Sequence, residues 1–216
     1  MRQSVKAETE RGDRFVASIY DLKPAFQSLL RPVVRSFARS GVSANQVTVA
    51  ALVLSLLEGA AIAVYPGERW PLLLLPIVLF LRMALNAVDG MLAREHDMKS
   101  PLGAVLNEIG DVISDCALYL PFALVPGVEP AWVVLVVILA VISEMTGVVA
   151  VQIGSERRYD GPMGKSDRAF VFGALGLLLG LGVHVSAWFD YIMIAVAILA
   201  CVTTLNRARR AIRAAT

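Results

Sequence analysis

The sequence predicts an all-α integral membrane protein: six transmembrane helices preceded by a cytoplasmic amphipathic juxtamembrane helix. Three observations predict it. Of 216 residues, 57% are hydrophobic, and the mean hydropathy of +0.66 is too high for an ordinary soluble domain. Six stretches approach the roughly 20 apolar residues needed to cross about 30 Å of hydrocarbon. Ahead of them, residues 20–40 place apolar and basic side chains at helical spacing.

The first forty residues are charged and lack a leading apolar core, so no signal peptide is expected. Within them, "YDLKPAFQSLLRPVVRSFARS" sets Phe26, Leu29, Leu30, Val33, Val34 and Phe37 against Lys23, Arg31, Arg35 and Arg39. That pattern suits a basic helix on the anionic cytoplasmic leaflet, bent near Pro32; a solvated linker is the alternative. The spans fall at 47–65, 70–88, 102–125, 131–153, 169–185 and 188–205, separated by Pro- and Gly-rich breaks. Lys and Arg crowd the N-terminal arm, the even-numbered loops and the tail, leaving Arg69 alone in the odd-numbered loops. By the positive-inside rule both termini and the even loops face the cytoplasm, an asymmetry hidden by the formal charge of +2. The organisation is then an arm over 1–45, a six-span unit over 46–206 and a basic tail over 207–216. Cys116 and Cys201 sit in spans as small hydrophobes, with no disulfide or metal role expected.

Ionisable side chains inside spans are costly and therefore functional candidates. Asn86 and Asp89, three apart, share one face at the end of the second span. Taking Asp111 as zero at 100° per residue, Asn107 lies near about −40°, Asp115 near about +40° and Glu108 near about +60°. Such a polar arc cannot face lipid. Oxygen ligands without His or thiolate suit a hard divalent cation, Mg²⁺ or Mn²⁺. The alternative is carboxylates satisfied by Arg82 or by backbone in a polar bundle core. Arg82, one turn before Asn86, either pairs with the acids or meets phosphate. Glu58 and Glu144 are either buried partners of polar neighbours or part of a lipid or acceptor pocket, and His96, Asp97 and His184 are weak candidates.

The segment "DGMLAREHDMKSPLGAVLNEIGD" closely resembles the signature of the CDP-alcohol phosphotransferase family, D-x-x-D-G-x-x-A-R, about eight residues, then G-x-x-x-D-x-x-x-D. Asp89, Gly90, Ala93, Arg94, Gly103 and Asp111 match it in place. The resemblance implies a membrane enzyme that transfers the phosphoryl-alcohol part of a CDP-linked lipid or alcohol to an acceptor hydroxyl and releases CMP, in phospholipid synthesis. It implies one or two divalent ions held by Asn86, Asp89, Asn107, Asp111 and Glu108, with Asp111 also the base. It implies CDP contacts from Asn45, Thr48, Asp89, Gly90, Ala93, Arg94 and Gly103, the low surface at Gly90 and Ala93 admitting the nucleotide. "SANQVT" resembles the family's P-N-x-x-T segment, with Ala44 for the proline; capping of the first span is the alternative role of Asn45. "GKSDR" resembles the Lys-containing opening of the fifth span, so Lys165 and Arg168, with Arg157 from the same loop, are candidates for acceptor or lipid phosphate; cations that only follow the positive-inside rule are the alternative. A homodimer in a bacterial or archaeal cytoplasmic membrane, with a cytoplasmic active site and no nucleic-acid partner, completes what it implies.

Two departures matter. Asn86 and Asn107 stand at the first and third acid positions; an amide oxygen can still ligate a hard cation but brings no charge. Asp115 defines an alternative register in which Asp111 and Asp115 are the final acid pair. Three readings follow: an active transferase, a catalytically lapsed member that binds CDP-lipid or a partner, and an unrelated small transporter, for which the discontinuous spans and inverted repeats are not seen. The acceptor is left open, because the motif reads only the CDP half of the reaction.

Overall fold

A computed structural model describes residues 19–215, with side chains from residue 26 onward. Arg2, Lys6, Arg11 and Arg14, part of the predicted cytoplasmic arm, lie outside the described residues, as does the side chain of Lys23. All regular structure among the described residues is helical: α1 (Ile19–Arg39), α2 (Ala44–Val64), α3 (Arg69–Glu95), α4 (Pro101–Tyr119), a 3₁₀ turn (Leu120–Leu124), α5 (Pro130–Gln152), α6 (Lys165–Gly180) and α7 (Ala187–Ala215).

The helix starts follow from local chemistry. Ser43 caps α2 reciprocally: its hydroxyl accepts from the Gln46 amide at 3.3 Å, and the Gln46 side chain accepts from the Ser43 amide at 2.9 Å. Ser100 caps α4 by accepting from the Gly103 amide at 2.9 Å, and Pro101 occupies the first position, where a missing N–H costs nothing. Asp167 accepts from the Gly164 amide at 2.9 Å at the start of α6.

Among the described residues α2, α3, α5 and α7 are long and apolar enough to cross a membrane. The predicted third span is shorter than expected as an α-helix, because Pro121 lacks the N–H that would continue α4 and the chain tightens into the 3₁₀ turn. The fifth begins at Lys165 and stops at Gly180, two residues before Gly182 turns left-handed at φ 95°. Beyond residue 205 the chain does not leave the bundle: α7 continues through the basic stretch to Ala215. α1 is continuous through Pro32.

Packing gathers these helices around α3 and α4. α2 lies against both, α6 packs on α3, and α5 pairs with α7. The main core holds Leu75, Tyr119, Phe122, Val133, Phe172, Phe189 and Met193 out of contact with solvent, with Tyr119 stacked on Phe172 at 4.1 Å between ring centroids. Gly59 lets α2 approach α4, since a Cβ there would collide with the Ala117 carbonyl. A second cluster docks α1: Val34 meets Ala44, Val47, Val88, Met91 and Leu92, and Phe26 meets Phe80 edge-on at 6.1 Å. Leu29, 73% exposed, and Val33 stay uncovered on α1.

Candidate active site

The polar residues of α3 and α4 face one another, with Arg82, Asp89 and Asp115 buried and Asn86 and Asp111 half-buried, as a stripe that lipid would reject requires. Asn86 Nδ2 donates to Asp111 Oδ1 at 3.0 Å, so the first motif position of α3 touches the last of α4. The same Oδ1 is paired with Lys165 Nζ from the start of α6 and lies 3.6 Å from the Arg82 guanidinium, which also donates to the Asp111 carbonyl at 3.1 Å. Two donors and a nearby guanidinium on one oxygen leave Oδ2 as the oxygen of Asp111 for a ligand. One turn further along α3, buried Asp89 accepts from the Thr48 hydroxyl of α2 at 2.7 Å.

The mouth of the site is held by the start of α4. Asn45 does not cap α2, since Ser43 has that role; its amide crosses instead to Ser100 Oγ at 3.4 Å. Gly103 is tight against the same pair, where a Cβ would lie 2.6 Å from Asn45 Oδ1 and 3.0 Å from Ser100 Oγ. At Gly90 the nearest atoms are those of the Arg94 guanidinium, itself on an exposed residue, at 3.3 Å from where a Cβ would be. Ala93 packs on the second core cluster, and Asn107 is exposed one turn before Asp111.

Behind this layer lies a closed ionic one. Asp115 is bracketed by Arg82 at 2.7 Å and Arg168 at 2.9 Å. Arg168, with no exposed surface, reaches Glu144 at 2.9 Å, and Glu144 also holds Arg157 at 3.1 Å and Arg207 at 3.4 Å. Arg157 grips both oxygens of Glu108 at 2.7 Å and stacks over Tyr159 at 4.8 Å. Burial opposes the charge on Arg157, but Glu108 and Glu144 outweigh it and raise its pKa.

Several expectations are corrected here. Asp115 is a counter-ion between two buried arginines, which disfavours the register that makes it the last catalytic acid. Arg168 and Arg157 face carboxylates rather than an open phosphate pocket, because bringing cations into a low-dielectric bundle requires paired charge. Glu108 belongs to Arg157 and not to the Asp89 and Asp111 layer. Lys165 stands against Asp111 itself. The alternative of acids satisfied by Arg82 holds for Asp115 and in part for Asp111.

Residues 42–206 match the family model described as CDP-alcohol phosphatidyltransferase. The chain belongs to the CDP-alcohol phosphatidyltransferase family. A relative from Escherichia coli (strain K12), inner membrane protein YnbA, is 46% identical over 192 residues, covering 89% of this chain and 95% of its own. The fold resembles that of Mycobacterium tuberculosis phosphatidylinositol phosphate synthase (PgsA1) solved with CDP-DAG bound, with a TM-score of 0.70 at 19% identity over 83% of this chain and 92% of that one. The same enzyme in complex with manganese and citrate matches with a TM-score of 0.69 at 20% identity, over 83% and 87%. Membership makes this chain an integral membrane CDP-alcohol phosphotransferase of phospholipid synthesis.

As a member of that family the site can be tested for a metal. The motif positions Asp89, Asp111, Asn86 and Asn107 offer oxygen donors alone, the chemistry that suits a hard cation, and Asn86 is in contact with Asp111. Among the described residues no three His, Cys, Asp or Glu side chains gather at ligand separation, as expected when two acid positions are amides. Sequence reasoning missed Arg207 and Ser100. Arg207, 1% exposed, donates to the Ser143 carbonyl at 2.7 Å, but it sits past the apolar run and reads as tail. Ser100 had a usable signal, Ser-Pro followed by Gly ahead of a helix.

Proposed function

We propose that Asp89 and Asp111 form the catalytic centre at which the phosphoryl-alcohol half of a CDP-linked lipid is passed to an acceptor hydroxyl. The observation that carries the reading is Asp111: Lys165 and Asn86 fix one carboxylate oxygen, Arg82 holds the main-chain carbonyl, and the other carboxylate oxygen is left for chemistry. The lone pair of that oxygen that a cation would leave free accepts the proton of the acceptor hydroxyl as the acceptor oxygen forms a bond to the donor's lipid-side phosphorus. The P–O bond to CMP breaks, and CMP leaves with the electron pair. Thr48 holds Asp89 in place, and Lys165 and Arg82 hold Asp111 in orientation. Arg94, exposed at the mouth, meets the pyrophosphate, while Gly90, Gly103, Asn45 and Ala93 shape the nucleotide's approach.

The group that completes the site is a divalent cation, Mg²⁺ or Mn²⁺, held by Asp89 and Asp111 with Asn86 and Asn107; it would stabilise charge on the leaving phosphate. The donor is a CDP-linked lipid, in keeping with CDP-DAG in the PgsA1 structure.

In the same reading α4 and α6 also cross the membrane, giving six spans within 46–206. Leu102, Val105, Ile109 and Ile113 form an exposed apolar stripe on α4, away from its acids. α1 lies on the anionic leaflet with Leu29 and Val33 toward the lipid, and the termini and active site are cytoplasmic by the cation distribution.

The test is CMP release from CDP-diacylglycerol by the purified chain in detergent, against a panel of hydroxyl acceptors, with chelator, Mg²⁺ and Mn²⁺ arms. Acceptor-dependent release that chelator abolishes and either ion restores is expected. No release with any acceptor, or release from Asp111→Asn at the unsubstituted rate, overturns the assignment.

A further inference from the structure

We infer that the substrate-free site takes a single divalent cation, because Asn86 and Asn107 leave only two carboxylates at the motif positions and Lys165 already pairs with one of them. The inference rests on the active-site reading above and concerns how this chain departs from the acidic motif.

Two catalytic ions stand about 3.5–4 Å apart and must share carboxylates to offset their mutual repulsion. Here the motif positions supply two carboxylates, Asp89 and Asp111, and two neutral amides, Asn86 and Asn107. Asp111 has already given Oδ1 to the Lys165 ammonium and to the Asn86 amide. One divalent ion between Asp89 and Asp111 Oδ2 meets the one or two carboxylates that a small hard cation ordinarily takes. A second would arrive beside an ammonium with no anionic ligand to itself. The other acids on the arc cannot move in: Asp115 is closed between Arg82 at 2.7 Å and Arg168 at 2.9 Å, and Glu108 is gripped by Arg157 at 2.7 Å.

The experiment counts ions rather than turnover. Chelator-stripped, full-length protein in detergent is titrated with Mn²⁺, and binding is followed by loss of the free-ion electron paramagnetic resonance signal. The unsubstituted chain is expected to bind one Mn²⁺. Asn86→Asp with Asn107→Asp, restoring both acids, should bind two; if that pair fails to fold, Asn86→Asp alone must gain the second ion. Lys165→Met should still bind one, at least about tenfold tighter, because a unit positive charge has left the neighbourhood of a divalent one. Two ions on the unsubstituted chain, one on the acid-restored chain, or no tightening in Lys165→Met overturns the inference and leaves the active-site reading standing. Zero ions on all of them removes the metal reading itself.

Discussion

Glu144→Gln removes one negative charge from among three guanidiniums while nearly preserving volume, so its effect can be worked from the partners each arginine retains. Arg168 keeps Asp115 at 2.9 Å and Arg157 keeps Glu108 at 2.7 Å. Arg207 keeps only carbonyls, of Ser143 at 2.7 Å and Asp160 at 3.3 Å. The substitution therefore strands one buried arginine, and removing one partner of a buried pair costs about 3–5 kcal/mol. At 2–4 °C per kcal/mol for a chain of this size, the melting temperature should fall by about 6–20 °C. The assay is a thermal melt of the purified chain in detergent, repeated for Glu144→Gln combined with Arg207→Met. The double variant removes the stranded cation and should recover at least half of the loss. A Glu144→Gln chain that melts with the unsubstituted one, or a double variant no more stable than the single, refutes the stranded-charge argument.

Two further predictions separate the layers of the site. Asp111→Asn should lose about 10²–10⁴-fold in turnover, the usual worth of a positioned base, and still fold, whereas Asp115→Asn should lower the melting temperature with turnover largely intact below it; turnover and melting of the two variants, compared side by side, reverse the assignment if the effects swap. Gly103→Ala should push Asn45 off Ser100 at a cost of about 1–3 kcal/mol from overpacking and raise the KM for the CDP donor with kcat little changed, which steady-state kinetics would read.

Four of the spans, α2, α3, α5 and α7, were legible because apolar length and breakers report directly on burial in lipid, and the α3 and α4 motif because its spacing is long and specific. Less legible were features that depend on how helices meet. Asn45 and Ser43 both have capping chemistry, and only the reach of Asn45 to Ser100 shows which of them caps. Arg157 and Arg168 read as a cytoplasmic cationic loop, yet their partners Glu108 and Glu144 lie on α4 and α5, a pairing of distant segments that periodicity cannot register. Arg207 was hidden for the opposite reason: the apolar run ended while the helix continued, because its guanidinium finds Glu144 and two carbonyls inside the bundle.

The step from Asp111 to Asp115 is one turn of α4, and over that turn the environment changes from partly exposed to closed. Asp111 keeps an oxygen for a ligand, while Asp115 is bracketed by Arg82 and Arg168. Arg82 touches both, so it ties the chemistry-bearing carboxylate to the ionic layer beneath it. Phosphoryl transfer needs reacting groups fixed to within a fraction of an ångström, and helix contacts in lipid lack a strong hydrophobic drive to provide that fixity. An ionic layer joining α3, α4, α5, α6 and α7 directly under the motif gives it by another route, since each helix can shift only by separating buried charges. On that argument the arginines Arg82, Arg168 and Arg207 act on turnover only through position, and their effects on rate should follow their effects on melting rather than exceed them.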